Sequence, residues 1–261
     1  MKRVLITGVS SGIGEATCKL LIERGFEVIG CSRKKPAFPV KWHFIDLASD
    51  ISIYKFVNWL MAEEKTVDIL INNAGTGSIA PFDALSISKI RALFNINFSG
   101  HVLLTQKLIT MGLLKEKIIN VSSLAAVIPL PFRGFYSATK SALLSISLTM
   151  RIELEKLNID VCCLLPGDVK TNIHQNRIEA DLIERLSLYP ELHKVKDKID
   201  REENEGVNPQ VIASEIYSLI KKKRMPPVKI CGKFAQKIYY YLWNTLPLSI
   251  SLKLLKKHYE I

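Results

Sequence analysis

The chain has 261 residues, 48% of them hydrophobic and 23% charged, with a formal net charge of +11. That length suits one large domain or two small ones, and the charged fraction is ordinary for a soluble protein. No apolar stretch reaches the roughly 18 uninterrupted residues of a spanning helix, and the scattered His and Cys show no metal-ligand spacing, so no metal is expected. The five Cys (18, 31, 162, 163 and 231) are odd in number and form no pattern, which implies buried thiols in a reducing compartment. Met1 leads directly into the strand-like run Lys2-Arg3-Val4-Leu5-Ile6-Thr7-Gly8, leaving no room for a leader, so a cytoplasmic protein is expected. The basic excess admits nucleic acid, an anionic membrane or anionic cofactors. Nothing beyond net charge supports nucleic acid, and none is expected.

Apolar runs of strand length recur at 4–7, 26–31, 42–45, 69–71, 118–121, 161–165 and 228–231. Segments with helical spacing lie between them, the first carrying Ile13, Ala16, Leu20, Leu21 and Ile22. Strands without polar alternation, separated by helices, predict a parallel sheet covered on both faces. The expected fold is α/β, doubly wound and Rossmann-type, with about seven strands in one domain over 1–261.

The first strand runs into Thr7-Gly8-Val9-Ser10-Ser11-Gly12-Ile13-Gly14, which opens the first helix. Three glycines permit a tight turn and close approach of a pyrophosphate, which the N–H groups of the helix start then face. The second strand ends at Gly30-Cys31-Ser32-Arg33-Lys34-Lys35, without the acidic residue that would hold the ribose hydroxyls of NAD. Ser32 and Arg33 offer a hydroxyl and a planar guanidinium suited to a 2′-phosphate, so NADP(H) is preferred over NAD(H). Asp46-Leu47 closes the third strand, and the Asp46 carboxylate could accept a hydrogen bond from the adenine amino group.

Tyr136 and Lys140 lie four residues apart in Gly134-Phe135-Tyr136-Ser137-Ala138-Thr139-Lys140. In a helix they share one face, with Cβ atoms about 5–6 Å apart. A nearby ammonium favours phenolate and lowers a phenol from its usual value of about 10. Such a phenol can protonate a carbonyl oxygen or deprotonate an alcohol. Residues 168–206 are long, polar and charged, as expected of a substrate lid that is mobile without ligand, with Ile178, Leu182, Leu186 and Leu188 as inward candidates. The stretch 233–261 reads as a basic amphipathic extension. Phe234, Ile238, Tyr239, Leu242 and Trp243 precede a break at Pro247, and Leu248, Leu252, Leu255 and Tyr259 follow it. Lys233, Lys237, Lys253, Lys256 and Lys257 lie beside them. Two expectations compete: peripheral contact with a membrane surface, or packing on the protein to close the substrate pocket.

The loop Thr7–Gly14, Asn72-Asn73-Ala74-Gly75, Asn97, Ser123, Tyr136, Lys140, and Pro166-Gly167 followed by Thr171 together resemble the short-chain dehydrogenase/reductase family, in its shorter single-domain branch. The stretch from Ser123 to Lys140 is most similar to reductases of steroids, retinoids and related lipids. The resemblance implies that Tyr136 is the general acid in reduction, and that Ser123, rather than Ser122, bonds the substrate oxygen. It implies that Lys140 lowers the Tyr136 phenol and binds the nicotinamide ribose, while Asn97 holds a water that links Lys140 to solvent. Gly8, Ser10, Ser11, Gly12, Ile13, Gly14, Ser32, Arg33, Asp46, Leu47, Asn73, Ala74 and Gly75 would hold the cofactor. So would Pro166, Gly167, Val169 and Thr171, the last two at the carboxamide. The implied activity is NADPH-dependent reduction of a hydrophobic ketone or aldehyde by a homodimer or homotetramer. A 3-oxoacyl-thioester reductase, the reverse reaction of oxidising a lipid alcohol and a non-catalytic nucleotide-sensing scaffold remain open alternatives.

Overall fold

The structure, a computed structural model, describes residues 1–171 and 176–261; lid positions 172–175, with His174, lie outside the described residues. The chain begins β1 (Arg3–Thr7), α1 (Gly12–Glu23), β2 (Glu27–Ser32), β3 (Lys41–Phe44), α2 (Asp50–Ala62), β4 (Val67–Asn72), β5 (Ser78–Ile79), α3 (Ile87–Phe94) and α4 (Gly100–Thr110). It continues β6 (Leu114–Val121), α5 (Gly134–Glu153), β7 (Asp160–Pro166), β8 (Ile178–Glu179), α6 (Leu192–Asn204), α7 (Pro209–Lys221), β9 (Val228–Cys231), α8 (Phe234–Thr245) and α9 (Leu248–Tyr259).

Among the described residues, seven strands form one sheet in the order β3-β2-β1-β4-β6-β7-β9, with every neighbouring pair parallel. Successive side chains point to opposite faces, and both faces are covered. Val4, Ile6, Ile69, Ile71 and Ile119 pack with Leu21 of α1 and Ile212 and Ile216 of α7. Leu5, Leu70, Ile118 and Val161 pack with Phe56 of α2 and Leu104 and Leu108 of α4 on the other side. This two-sided burial is why the strands carry continuous apolar runs. The strand order reverses between β1 and β4, and a crevice forms at such a switch point, beyond the carboxyl ends of the strands.

The seven expected strands are present with ends shifted by a few residues, and the short parallel pair β5–β8 adds a second sheet. Two-residue strands give no pattern to read. The lid expectation needs correction in its inward residues. Leu188 is 60% exposed, and Ile178, Leu182 and Leu186 are only half-buried. Among the described residues of 176–206 the buried positions are Arg177 and, one turn apart on α6, Val195, Ile199 and Glu203. Two of these are charged, which apolar periodicity does not register.

The tail folds as two helices broken at Pro247, as its spacing predicts. Ser251, Leu255 and Tyr259 are buried on the inner face of α9. Leu255 and Tyr259 share a cluster with Val195 and Ile199 of the lid and Trp243 of α8. Packing on the protein therefore describes this inner face.

Candidate active site

A cleft of 540 Å³ is lined by residues from the loops after β1, β2, β3, β4, β6 and β7 and by the start of α5. Gly8 takes a left-handed φ of +77°, and a Cβ there would come within 2.8 Å of the Ala74 Cα. A Cβ on Gly14 would run into the Gly8 carbonyl oxygen. The turn is thus too tight for side chains. The Asn73 side chain donates to the Thr7 carbonyl at 2.9 Å, while Thr7 Oγ1 accepts from the N–H groups of Asn73 and Ala74 at 3.0 Å each. Ser11 precedes α1 without spending its hydroxyl as a cap. The N–H groups of the first turn of α1 are the kind that bind a phosphate.

At the end of β2, Arg33, Lys34 and Lys35 line the cleft, are exposed and form no ion pair among the described residues. Ser32 also lines it, but its hydroxyl donates to the Lys34 carbonyl at 2.6 Å and accepts from Trp42 Nε1 at 3.0 Å. Its single proton is used inside the protein, so the donor role expected of Ser32 falls to Arg33. Asp46 Oδ1 accepts from the Ala48 N–H at 3.0 Å, and Oδ2 has no partner among the described residues.

Helix α5 places Tyr136, Lys140, Leu143 and Ser147 on one buried stripe. Lys140 Nζ donates to the Val121 carbonyl at 3.1 Å and stands 5.9 Å from the centroid of the Tyr136 ring. Burial lowers its ammonium to about 8. Burial also raises the Tyr136 phenol above its ordinary value, and the groups acting against that rise are the Arg133 guanidinium and the Ser123 hydroxyl. The Arg133 guanidinium carbon lies 4.6 Å from the ring centroid, nearer than the Lys140 ammonium. Of the two cations near the ring, Arg133 is the one that holds the phenol down here, a role the resemblance gives to Lys140.

Ser122 donates its hydroxyl proton to the Lys140 carbonyl at 2.8 Å. Ser123 Oγ accepts from the Ala125 N–H at 3.1 Å and turns its proton to the Tyr136 phenol, which favours Ser123 over its neighbour. Asn97 lies in a π-helical turn, Asn95–Ser99, fully buried and outside the cleft lining. Its Oδ1 accepts from the Thr76 N–H at 2.8 Å, and its Nδ2 donates to the Thr76 carbonyl at 2.9 Å and to Thr139 Oγ1 at 3.1 Å. Both amide protons are thus taken by protein and tie helix to loop, so a water held by Asn97 is one that donates to its oxygens. His101 is likewise structural: it bonds the Ala74 carbonyl at 2.7 Å, and burial lowers it to about 4, leaving it neutral.

The remaining wall of the cleft was not anticipated. Arg133 and Glu203 both line it and pair at 3.0 Å with side chains 6% and 7% exposed. Glu203 also pairs with Arg177 at 2.5 Å, and Arg177 with Asp200 at 2.5 Å. Beside them, burial and the charges of Glu202 and Glu203 push the Asp168 carboxyl up to about 6. Gln236 of α8 donates to Asp168 Oδ2 at 2.5 Å and lies over Gly167, where a Cβ would run into its amide. The pairs 133–203 and 177–203 are 70 and 26 residues apart, so no local spacing marks them.

Apart from Gly14 and Asn97, every expected site residue lines the cleft: the glycine-rich loop with Ser10, Ser11 and Ile13; Ser32, Arg33, Asp46 and Leu47; Asn73, Ala74 and Gly75; Ser123, Tyr136 and Lys140; and Pro166, Gly167, Val169 and Thr171. The glycine cradle, the helix start and the unpaired cations fit a dinucleotide.

A family model for short chain dehydrogenases matches residues 2–182. A 3-ketodihydrosphingosine reductase from Bacteroides thetaiotaomicron is 31% identical, with 99% of this chain and 98% of that one covered. An NADPH-dependent 3-dehydrocapnine reductase from Ornithobacterium rhinotracheale is 30% identical, with 86% of each chain covered. A solved short-chain dehydrogenase from Streptomyces avermitilis superposes with a TM-score of 0.76 at 23% identity, covering 99% of this chain and 96% of that one.

Proposed function

Because this chain belongs to the short-chain dehydrogenase/reductase family, we propose that it is an NADPH-dependent reductase of a ketone or aldehyde on a hydrophobic, lipid-like substrate. The observation that carries this reading is the meeting of the Ser123 hydroxyl, Tyr136 and Lys140 in the same cleft as the glycine-rich loop and Arg33. Both curated relatives described above carry reductase names of this kind, and one is named as NADPH-dependent.

In this reading Gly8, Ser10, Ser11, Gly12, Ile13 and Gly14 form the pyrophosphate cradle, and Arg33 meets the 2′-phosphate with a charge-assisted pair. Asp46 and Leu47 line the adenine end. Asn73, Ala74 and Gly75 form the floor, and Pro166, Gly167, Val169 and Thr171 the nicotinamide side. The nicotinamide supplies the hydride when bound. Ser123 donates a hydrogen bond to the substrate oxygen, and Tyr136 gives that oxygen its phenolic proton. Lys140 remains protonated below about pH 8 and offers its charge to the ribose side of the cleft. Arg133 stabilises the phenolate that proton transfer leaves behind. Exposed Ile152 and Leu148 on the outer face of α5 are consistent with self-association.

The test is a panel holding a long-chain ketone, a hydrophobic aldehyde and a 3-oxoacyl thioester, each with NADPH or NADH, read at the nicotinamide absorbance band. Consumption of NADPH with the long-chain ketone is the expected result. Turnover of the thioester alone moves the assignment to acyl-thioester reduction.

A further inference from the structure

Helix α8 has two apolar faces. Gln236, Tyr240 and Trp243, at i, i+4 and i+7, face the protein: Gln236 bonds Asp168, Trp243 packs against the cluster of Tyr259, and Tyr240 packs against that of Leu124. Phe234, Ile238, Tyr241 and Leu242, at i, i+4, i+7 and i+8, form a second stripe on the opposite side. That stripe is open, with exposures of 78%, 44%, 63% and 45%. Four large apolar side chains aligned on one exposed helix face form a patch of the kind that marks an interaction site.

The charge around the stripe selects its partner. From 231 to 259 the chain has five lysines and no Asp or Glu. Lys233, Lys253, Lys256 and Lys257 are exposed, Lys237 is half-exposed, and none forms an ion pair among the described residues. A second copy docked on this face by two-fold symmetry would bring the same five lysines against these, so like charges oppose that contact. A bilayer with anionic headgroups meets both features at once, with apolar and tyrosine side chains entering the interface and lysines reaching the phosphates. No helix of the described residues is long and apolar enough to cross a membrane, so the contact lies in the plane of the surface.

We propose that the outer face of the α8–α9 hairpin is a docking surface for an anionic lipid bilayer, entered by Phe234, Ile238, Tyr241 and Leu242 and held by the tail lysines. The inner face keeps the hairpin rigid and joins it to the cleft. Gln236 seats α8 on Gly167 and Asp168, and Leu255 and Tyr259 seat α9 on the lid helix α6. The docked face thus sets the lid and cleft wall beside the bilayer. This deepens the lipid-substrate reading, on which its biological sense rests, but its test does not use turnover.

The test is co-sedimentation of the full chain with vesicles of phosphatidylcholine alone, or of equal parts phosphatidylcholine and phosphatidylglycerol. Pelleting with the anionic vesicles only, weakening at 1 M salt where the screening length falls to about 3 Å, is the expected result. Each lysine near an anionic surface is worth about fivefold in affinity, so Lys253→Ser, Lys256→Ser and Lys257→Ser together should weaken binding on the order of a hundredfold. Phe234→Ser with Tyr241→Ser should abolish pelleting while leaving the thermal midpoint unchanged, since both side chains are exposed. Wild-type chain that stays in the supernatant with both vesicle types overturns the proposal, as does pelleting that the serine variants leave intact. A concentration-dependent dimer that Phe234→Ser with Tyr241→Ser dissolves, with no vesicle binding by the wild type, assigns the stripe to a second copy instead.

Discussion

Replacing Glu203 with Gln keeps the shape of the side chain and removes the one carboxylate that holds two buried guanidiniums. Arg177 would retain Asp200 at 2.5 Å. Arg133, with its side chain 6% exposed, would have no carboxylate left among the described residues. Breaking a buried pair in this way costs about 3–5 kcal/mol, because a desolvated charge is left uncompensated. The pair is too deeply buried for solvent screening to reduce that figure much. A chain of this size loses about 2–4 °C per kcal/mol, so Glu203→Gln should lower the melting midpoint by roughly 6–20 °C. Differential scanning calorimetry at pH 7 reads this directly. Arg133→Met in the same chain should restore a good part of the loss, since it removes the stranded charge. The cycle should then show a coupling on the order of 1–3 kcal/mol. A midpoint drop under about 2 °C, or strictly additive single variants, would show that Glu203 does not hold Arg133 in the folded chain.

Three further outcomes follow from the same geometry. Arg133→Met should move the limb of the pH–rate profile that reports Tyr136 to higher pH, because the charge that favours the phenolate is gone; an unmoved limb assigns Arg133 a packing role only. Arg33→Ala should weaken NADPH by roughly tenfold to a hundredfold, from a charge-assisted bond of about 1.5–3 kcal/mol, and leave NADH unchanged in fluorescence titrations; equal losses for both contradict the 2′-phosphate role. Asp168, raised to about 6, binds its proton more tightly folded than unfolded. It therefore contributes stability below about pH 4 that is lost as pH rises through about 6. Relative to wild type, Asp168→Asn should thus gain stability across that window, read as the difference in melting midpoint between pH 4 and pH 7; a flat difference refutes the assignment.

The parts of this structure that local chemistry controls are visible in the chain. Val4 to Ile6 is continuously apolar because both faces of β1 are covered. Gly8 and Gly14 are glycines because the turn brings Ala74 and the Gly8 carbonyl against them. Tyr136 and Lys140 share a stripe because α5 buries one side. The break at Pro247 separates α8 from α9 where the spacing is interrupted. What stayed hidden depends on contacts between distant segments. Ser32 reads as a phosphate donor until Trp42 and the Lys34 carbonyl take its hydroxyl. No spacing announces that the Asn97 amide also ties its helix to Thr76 and Thr139. Leu188 has the spacing of an inward residue, yet Arg177 and Glu203 occupy the interior, because ion pairing makes buried charge tolerable and hydrophobic periodicity cannot express that.

The central claim is that Tyr136 protonates a substrate carbonyl, and turnover of a long-chain ketone by Tyr136→Phe with saturating NADPH tests it most directly. Phenylalanine keeps the ring and its packing against Arg133 and removes only the hydroxyl that carries the proton. The expected result is a loss of about 10²–10⁴-fold in turnover, as for other general acids, with NADPH affinity preserved. A variant that keeps more than about a tenth of wild-type turnover, well short of that loss, would contradict the assignment of Tyr136 as the acid.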